Sequence, residues 1–411
     1  MTEPLARPKR KNPLARTRLP LSPPGARSRT ALGLAAAAAQ GRFMLQVCAG
    51  CRKEIYPPRD ACPACFAAMP PFCDVPDGGV LLAVTTVRTS TDAYYRERMP
   101  WRVGTVKLDC GPSVVAHVHG DLDEGCRVKM TLKLDRSGQA AAFALPVKDT
   151  PDMADDKQLR EMTCDPKFRR ALITDGRTAL GQACAKAMAQ AGCTIVFVGL
   201  ADIWKPFAGE KALRETPNVE IVPLDLRDSE SVGELAADIG GRVDIILNTA
   251  EYVRPGGIMA RKGLVVAQEE MDLRYFGLMR LAQAFGPALR FRGADGVNSA
   301  AAIVNFLFVH ALANWPEYGA YSATEAACLS ASHSLRTELR AGGVKCVNIF
   351  HGPVETEWFQ PLPPPKVAPS ALAKSAVDAL RRGLEDVFVG DIAQDIRERF
   401  LDNPKALERE L

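Results

Sequence analysis

Long apolar runs are missing from this sequence. The two longest candidates, residues 31–39 and 300–309, stop at about half of the roughly 18 residues that a bilayer-crossing helix needs. A soluble, cytoplasmic protein with no membrane association is expected. Aromatic residues make up only 7% of the chain, and between residues 78 and 146 the obvious ones are Tyr94, Tyr95, Trp101 and Phe143, a weak set of stacking platforms for nucleic acid. What is present is ordinary globular material, 47% hydrophobic and 24% charged over 411 residues. That composition excludes chain-wide disorder and a collagen-like fibre, and the length allows two or three separate cores.

Acidic residues are nearly absent from the opening. Residues 1–30 hold eight Lys and Arg, one acid and six prolines, so the overall +4 hides a slightly acidic body. The opening reads as a disordered basic arm, with a transit peptide or a nucleic-acid or membrane tether as its alternative roles. The Ala-rich stretch 31–40 is too weakly apolar for a signal-peptide core and suits a docking helix.

Twelve cysteines are more than average, and four of them fall into two Cys-x-x-Cys knuckles, Cys48-Ala-Gly-Cys51 and Cys62-Pro-Ala-Cys65, ten residues apart. Each knuckle turn aims two sulfurs and its turn amides at one point, and a short hairpin between the knuckles closes a tetrahedron. Cys48, Cys51, Cys62 and Cys65 are the expected ligands of a structural zinc, with iron the alternative for a four-sulfur site. With all four positions taken by thiolates, no place is left for substrate.

Strand patterns at 80–89, 101–108, 113–119, 127–134 and 140–144, separated by Gly, Pro and Asp turns, predict a five-stranded barrel of the OB type over residues 77–147. Ribbon plus OB barrel raises nucleic acid as a partner. Between residues 78 and 146 nine Lys and Arg face seven acids, which is a weak basis for a nucleic-acid groove.

Phe43-Met-Leu-Gln-Val-Cys-Ala-Gly-Cys51, Tyr56-Pro-Pro-Arg59, Cys62-Pro-Ala-Cys65 and Pro100-Trp-Arg-Val-Gly104 resemble the acyl-CoA-associated zinc-ribbon/OB family known as domain of unknown function thirty-five, over residues 31–147. The resemblance implies a helix and ribbon at 31–76, a barrel at 77–147, and a partner subunit of thiolase-like or aldolase-like fold whose acyl-CoA site the barrel helps to shape. Residues 148–168, rich in Asp and without apolar periodicity, read as a linker.

From residue 169 strand patterns at 171–174, 194–199, 219–223, 243–247, 302–308 and 345–350 alternate with helical ones. This predicts a Rossmann-like, doubly wound parallel sheet covered on both faces, followed by a C-terminal tail at 401–411. Leu224-Asp225-Leu226, Asp244-Ile-Ile-Leu-Asn-Thr-Ala250, Tyr321-Ser-Ala-Thr-Glu325 and Val347-Asn-Ile-Phe-His-Gly-Pro-Val-Glu-Thr356 resemble the short-chain dehydrogenase/reductase family over residues 169–400. The same resemblance marks departures. The family's turn Thr-Gly-x-x-x-Gly-x-Gly reads here Thr174-Asp-Gly-Arg-Thr-Ala-Leu-Gly181, with Asp175 and Ala179 at two glycine positions. A carboxylate near a diphosphate adds like-charge repulsion, and a Cβ at a close approach adds steric cost. Gly176, Gly181 and Asp225 remain as positions able to meet NAD(P), whose binding is disfavoured.

The family's catalytic set is Tyr, Lys, Ser and Asn. Tyr321 is in place, but Glu325 stands at the Lys, Phe308 at the Ser and Arg274 at the Asn position. A negative Glu325 one helical turn from Tyr321 raises the phenol when catalysis near neutrality needs it lowered. His310, close to Phe308, is a candidate replacement acid. The expectation is a pseudoenzyme: a non-catalytic subunit of a thiolase or aldolase complex, dimerising through helices at 271–289 and 321–339, with Met271, Tyr275, Leu278, Ala282 and Phe285 as the apolar stripe. The alternatives are an atypical NAD(P)H-dependent 3-oxoacyl-CoA reductase and a nucleic-acid-binding protein.

Overall fold

A computed structural model describes residues 2–7, 21–25, 28–292 and 301–411. The helix Leu32–Ala39 lays Leu34, Ala37 and Ala38 into the core of the following barrel, the docking role expected of it. The ribbon is a three-stranded antiparallel sheet of β1 (Met44–Val47), β2 (Glu54–Ile55) and β3 (Phe72–Asp74), with β1 central. Buried Gln46 on β1 accepts from the Arg59 amide at 2.7 Å and donates to the Arg59 and Pro70 carbonyls at 2.9 and 3.0 Å. Its amide thereby ties the hairpin of one knuckle to the strand of the other.

Strands β4 (Gly78–Val87), β5 (Trp101–Leu108), β6 (Ser113–Val118), β7 (Arg127–Leu134) and β8 (Ala140–Pro146) form a closed barrel in the order β4-β5-β6-β8-β7. Alternation on β6 turns Val114, Ala116 and Val118 inward, and on β7 Val128, Met130 and Leu132, as period-2 strands with one buried face require. At Gly104 a Cβ would come within 2.6 Å of the Ala83 carbonyl oxygen, beside the register shift between Leu81 and Ala83; the bulge bends β4 around the barrel.

The second domain is a seven-stranded parallel sheet, β11-β10-β9-β12-β13-β14-β15, built from β9 (Arg170–Ile173), β10 (Ile195–Leu200), β11 (Val219–Pro223), β12 (Ile245–Asn248), β13 (Ala302–Phe308), β14 (Lys345–His351) and β15 (Asp386–Val389). Two apolar cores cover its faces. The winding direction reverses between β9 and β12, the point at which such sheets open a crevice at their carboxyl ends.

Several expectations change. Residues 148–168 are not a loose linker. They contain a 3-10 turn, Met153–Asp155, and a helix, Lys157–Glu161, and Gln158, Arg160, Glu161, Met162 and Cys164 are buried. Glu161 receives Tyr94 Oη at 3.0 Å, Arg98 Nε at 3.0 Å and Arg136 Nε at 2.8 Å, so the segment is cemented to the barrel by paired charge. Lys133 of β7 donates to the Arg382 carbonyl at 2.7 Å, and Lys345 of β14 donates to the Leu134 carbonyl at 3.2 Å. The two domains are thus hydrogen-bonded reciprocally.

The basic arm is partly placed: Thr2 donates to Asp121 at 2.8 Å, the Leu5 amide to Asp155 at 3.0 Å, and Ser137 to the Pro23 carbonyl at 2.5 Å. Residues 1, 8–20 and 26–27 of that arm lie outside the described residues. The expected tail at 401–411 is the end of one helix, Asp391–Asp402, and a second, Pro404–Glu410, whose Leu407 is buried. In the expected dimer stripe Leu278 and Phe285 are buried in the domain's own core, and Met271, Tyr275 and Ala282 are half-buried; the exposed apolar side chains nearby are Phe276 and Met279. Among the described residues no helix is long and apolar enough to cross a membrane.

Candidate functional site

Two places concentrate chemistry. The first is the four-cysteine cluster, where the sulfurs of Cys48, Cys51, Cys62 and Cys65 all lie within 4.8 Å of one another. The Cys48–Cys65 and Cys51–Cys62 separations are 3.5 and 3.6 Å. Four thiolates at about 2.3 Å from a tetrahedral zinc stand ~3.8 Å apart, so the residues fit the ion. The knuckle amides add to the fit: the Ala64 and Cys65 N–H groups lower the Cys62 thiol to about 6, and the Cys51 amide leads the causes that lower Cys48. These amides favour thiolate, the form that binds metal, at Cys48 and Cys62, whereas Cys65, beside those sulfurs, is pushed up to about 12, the like-charge crowding that a cation between the sulfurs relieves.

The second is the crevice at the β9/β12 reversal, a cleft of about 1050 Å³. The turn after β9 keeps the geometry of a nucleotide-binding turn. Thr174 Oγ1 accepts from the Thr249 and Ala250 amides at 2.9 and 3.2 Å, holding the ends of β9 and β12 together. Gly181 has no room for a side chain, since a Cβ would meet the Asp175 carbonyl oxygen at 1.8 Å. Gly176 is similarly confined, by Val198 at 2.3 Å.

The turn's donors are engaged within the chain. Asp175 Oδ1 accepts from the Arg177 amide at 2.8 Å, and Thr178, capping the helix Ala179–Gln190, accepts from the Gly181 amide at 2.9 Å. The Arg177 guanidinium donates to the Asp202 and Lys205 carbonyls, and its charge, with that of Arg227, partly offsets Asp175. Asp225 accepts from the Arg227 amide at 2.9 Å and is not among the residues lining the cleft.

The four catalytic positions are brought together, with altered contents. Arg274 lies in a π-helical turn, Asp272–Phe276, and points inward. Its guanidinium grips Glu325 with two bonds, Nε to Oε1 at 2.7 Å and Nη2 to Oε2 at 2.9 Å. It also donates to the Ala250 carbonyl at 2.7 Å and the Phe306 carbonyl at 2.5 Å. Glu325 accepts in addition from the Phe308 amide at 2.9 Å. Arg274 is 4% exposed and Glu325 0%, so the substitutions at the Asn and Lys positions are partners in one buried, bidentate ion pair.

Phe308 fills the Ser position with a ring 5.5 Å from Tyr321, 5.6 Å from Phe359 and 5.0 Å from His310. Tyr321 is 1% exposed, and its ionisation is pushed well above 10 by burial first, then by Glu325 and Glu251. The negative neighbour acts in the expected direction, with burial the larger cause. His310 is no replacement acid: it is buried, its Nδ1 lies 2.9 Å from the Ala313 carbonyl oxygen, and burial lowers its pKa.

Glu251 went unnoticed in the sequence. It directly follows the Asn248-Thr249-Ala250 strand end, faces the cleft, and receives Tyr321 Oη at a long 3.5 Å. Burial raises its carboxyl to about 7, and burial likewise raises Asp175 to about 6. A carboxyl that holds its proton more tightly folded than unfolded makes stability fall as pH rises from the unfolded value of 4.5 to about 7, and level off above. Glu251→Gln is expected to remove part of that fall, so its Tm should gain on the parent at pH 7.5 relative to pH 4.5. An unchanged difference between the two pH values would refute the assignment.

Comparison with known proteins agrees with this division. Residues 35–69 match the model described as ChsH2, rubredoxin-like zinc ribbon domain, and residues 73–133 the ChsH2 C-terminal OB-fold domain. Residues 176–384 match the model described as enoyl-(acyl carrier protein) reductase. A Mycobacterium tuberculosis protein named as an uncharacterized oxidoreductase is 29% identical over 218 residues, 51% of this chain; the chain spans 62% of that relative's length. One of Staphylococcus haemolyticus with the same kind of name is 32% identical over 193 residues, covering 46% of this chain and 79% of the relative. A crystal structure of a short-chain dehydrogenase from Burkholderia cenocepacia in complex with NADP aligns with 60% of this chain and 98% of its own, at 27% identity and a TM-score of 0.54. The chain therefore belongs to the enoyl-(acyl carrier protein) reductase family of short-chain dehydrogenases, and carries ahead of that domain a zinc ribbon and OB barrel of the ChsH2 type.

Proposed function

We propose that the protein is a non-catalytic accessory subunit whose ribbon and barrel bind a thiolase-like or aldolase-like enzyme and help form its acyl-CoA site. The second domain serves as the dimerisation scaffold. The observation that carries this reading is the Arg274–Glu325 pair. The places where the family keeps a Lys and an Asn are filled by two charges that neutralise each other, and the Ser position holds a buried phenyl ring. A phenol held protonated beside a carboxylate does not exchange protons efficiently near neutrality. Zinc at the four cysteines is structural. A cytoplasmic setting suits twelve cysteines that are all free, since a reducing compartment keeps thiols unpaired. The exposed Phe276 and Met279 suit a subunit interface.

The test is purification of the tagged protein from its native cells with mass spectrometry of what stays bound through gel filtration. A stoichiometric thiolase-fold protein is expected. A homodimer arriving alone would overturn the reading.

The open cleft, Tyr321 in place, and relatives named as oxidoreductases favour a second reading, an atypical 3-oxoacyl-CoA reductase. It requires NADH or NADPH to bind at or below millimolar concentration and Tyr321→Phe to abolish turnover.

A further inference from the structure

Beside the cleft, two guanidinium groups stack on a pair of rings. The Arg254 guanidinium lies 4.6 Å from the ring centres of both Tyr252 and Trp358, and Arg227 lies over the Tyr252 ring at 5.7 Å. The two rings meet edge to face at 5.8 Å, and Glu269 takes the Tyr252 hydroxyl. Trp358 is itself part of the cleft wall.

Stacking on a ring leaves the in-plane N–H donors of a guanidinium available. Arg254 uses one of them on the Val253 carbonyl at 3.0 Å. The Arg227 guanidinium has no hydrogen-bonded partner among the described residues. Both residues are exposed. The ladder therefore presents two exposed cations with donors to spare, beside a cleft whose size is near the upper end of the ~300–1,000 Å³ usual for small-molecule sites.

Charge is layered here. Arg254 rests on Trp358 of the cleft wall and Arg227 on Tyr252 next to it, neither cation being a lining residue, whereas Asp175 and Glu251 line the cleft. Glu355 and Glu357 line the same cleft. Arg177 and Lys366, the basic residues of the wall, are hydrogen-bonded to backbone carbonyls. A dinucleotide would set its diphosphate against the turn at Asp175. A ligand with phosphates at one end and a long uncharged, amide-bearing arm at the other meets no such conflict, because its amide N–H groups find the carboxyl oxygens of Asp175 and Glu251 where a diphosphate finds turn amides already engaged within the chain.

We propose that the Arg227–Tyr252–Arg254–Trp358 ladder binds the phosphorylated end of a coenzyme A thioester, with the pantetheine arm entering the cleft past Asp175 and Glu251. This deepens the acyl-CoA part of the proposed function and rests on it. The second domain then holds acyl-CoA on its own account, as a store or delivery site beside the partner enzyme.

Calorimetric titration of the full-length protein, without any partner, tests this. Acetyl-CoA should bind, dephospho-CoA more weakly, and NADPH more weakly still. Arg254→Ala and Arg227→Ala should each weaken acetyl-CoA at least tenfold with Tm unchanged, and should narrow its advantage over dephospho-CoA. Absence of acetyl-CoA binding at millimolar concentration, equal affinity in both variants, or tighter NADPH binding would each overturn the proposal. Inorganic phosphate binding as tightly as acetyl-CoA would make the rim a free-phosphate site and overturn it equally. Failure of this titration while a thiolase-fold partner still copurifies removes the ladder assignment alone. Tight acetyl-CoA binding by a protein that captures no partner removes the accessory reading instead.

Discussion

Cys48→Ala, or removal of metal by a strong chelator, is expected to unfold the ribbon and abolish complex formation with the proposed partner enzyme while the parallel sheet stays folded. The ribbon cannot stand on apolar burial: its own core is Cys48, Ile55 and Cys62, with Cys51 and Ala67 packed beside them. Structural zinc in peptides of this size contributes about 10–16 kcal/mol of apparent binding free energy at neutral pH, far more than such a core supplies. Elemental analysis should find one zinc per parent chain and none in the variant, and amide exchange should show lost protection in β1–β3 only. A metal-free variant that keeps β1–β3 protected and still forms the complex would refute the role.

The second large effect is at Glu325. Glu325→Ala leaves the Arg274 guanidinium buried without its bidentate partner, a loss of about 3–5 kcal/mol. For a domain of more than 200 residues that is a fall of roughly 6–20 °C in Tm, at about 2–4 °C per kcal/mol. Glu325→Lys should fall further, because two cations would share one site. Arg274→Met/Glu325→Leu should recover most of the loss, since an apolar pair of similar volume replaces a buried ion pair at little cost. Arg274→Asn/Glu325→Lys should recover part of it and still fail to reduce 3-oxoacyl-CoA with NADPH, as Phe308 remains. A thermal midpoint for Glu325→Ala equal to the parent's, or reductase activity in Glu325→Lys alone, would defeat this account of the site.

These two sites differ in how far the sequence exposed them. The cysteine spacing was legible because a knuckle is a local object: two residues between sulfurs fix the turn, and two knuckles share one ion. The Arg274–Glu325 substitutions were legible as losses, one residue at a time. That they compensate each other was not, because a separation of 51 positions carries no sign that a π-helical turn rotates Arg274 inward to meet the helix Gly319–Leu339. Glu251 and the Arg254 ladder escaped for a related reason. A single Glu after a strand, or an Arg among loop residues, acquires meaning only when the cleft closes around it.

The segment 148–168 is the plainest divergence. Absence of apolar periodicity suggested a linker, since periodicity reports burial only when the buried groups are apolar. Here they are Arg160 and Glu161, and the Glu161 carboxylate is made affordable by Arg98, Arg136 and Tyr94, which belong to the barrel. By itself the sequence determined the order of ribbon, barrel and parallel sheet, because strand alternation, turn residues and cysteine spacing are short-range signals. The tertiary structure alone decided which charges are paired, which of them face the cleft, and how the two domains are joined, because the energy of a buried charge depends on partners that only folding brings within hydrogen-bonding distance.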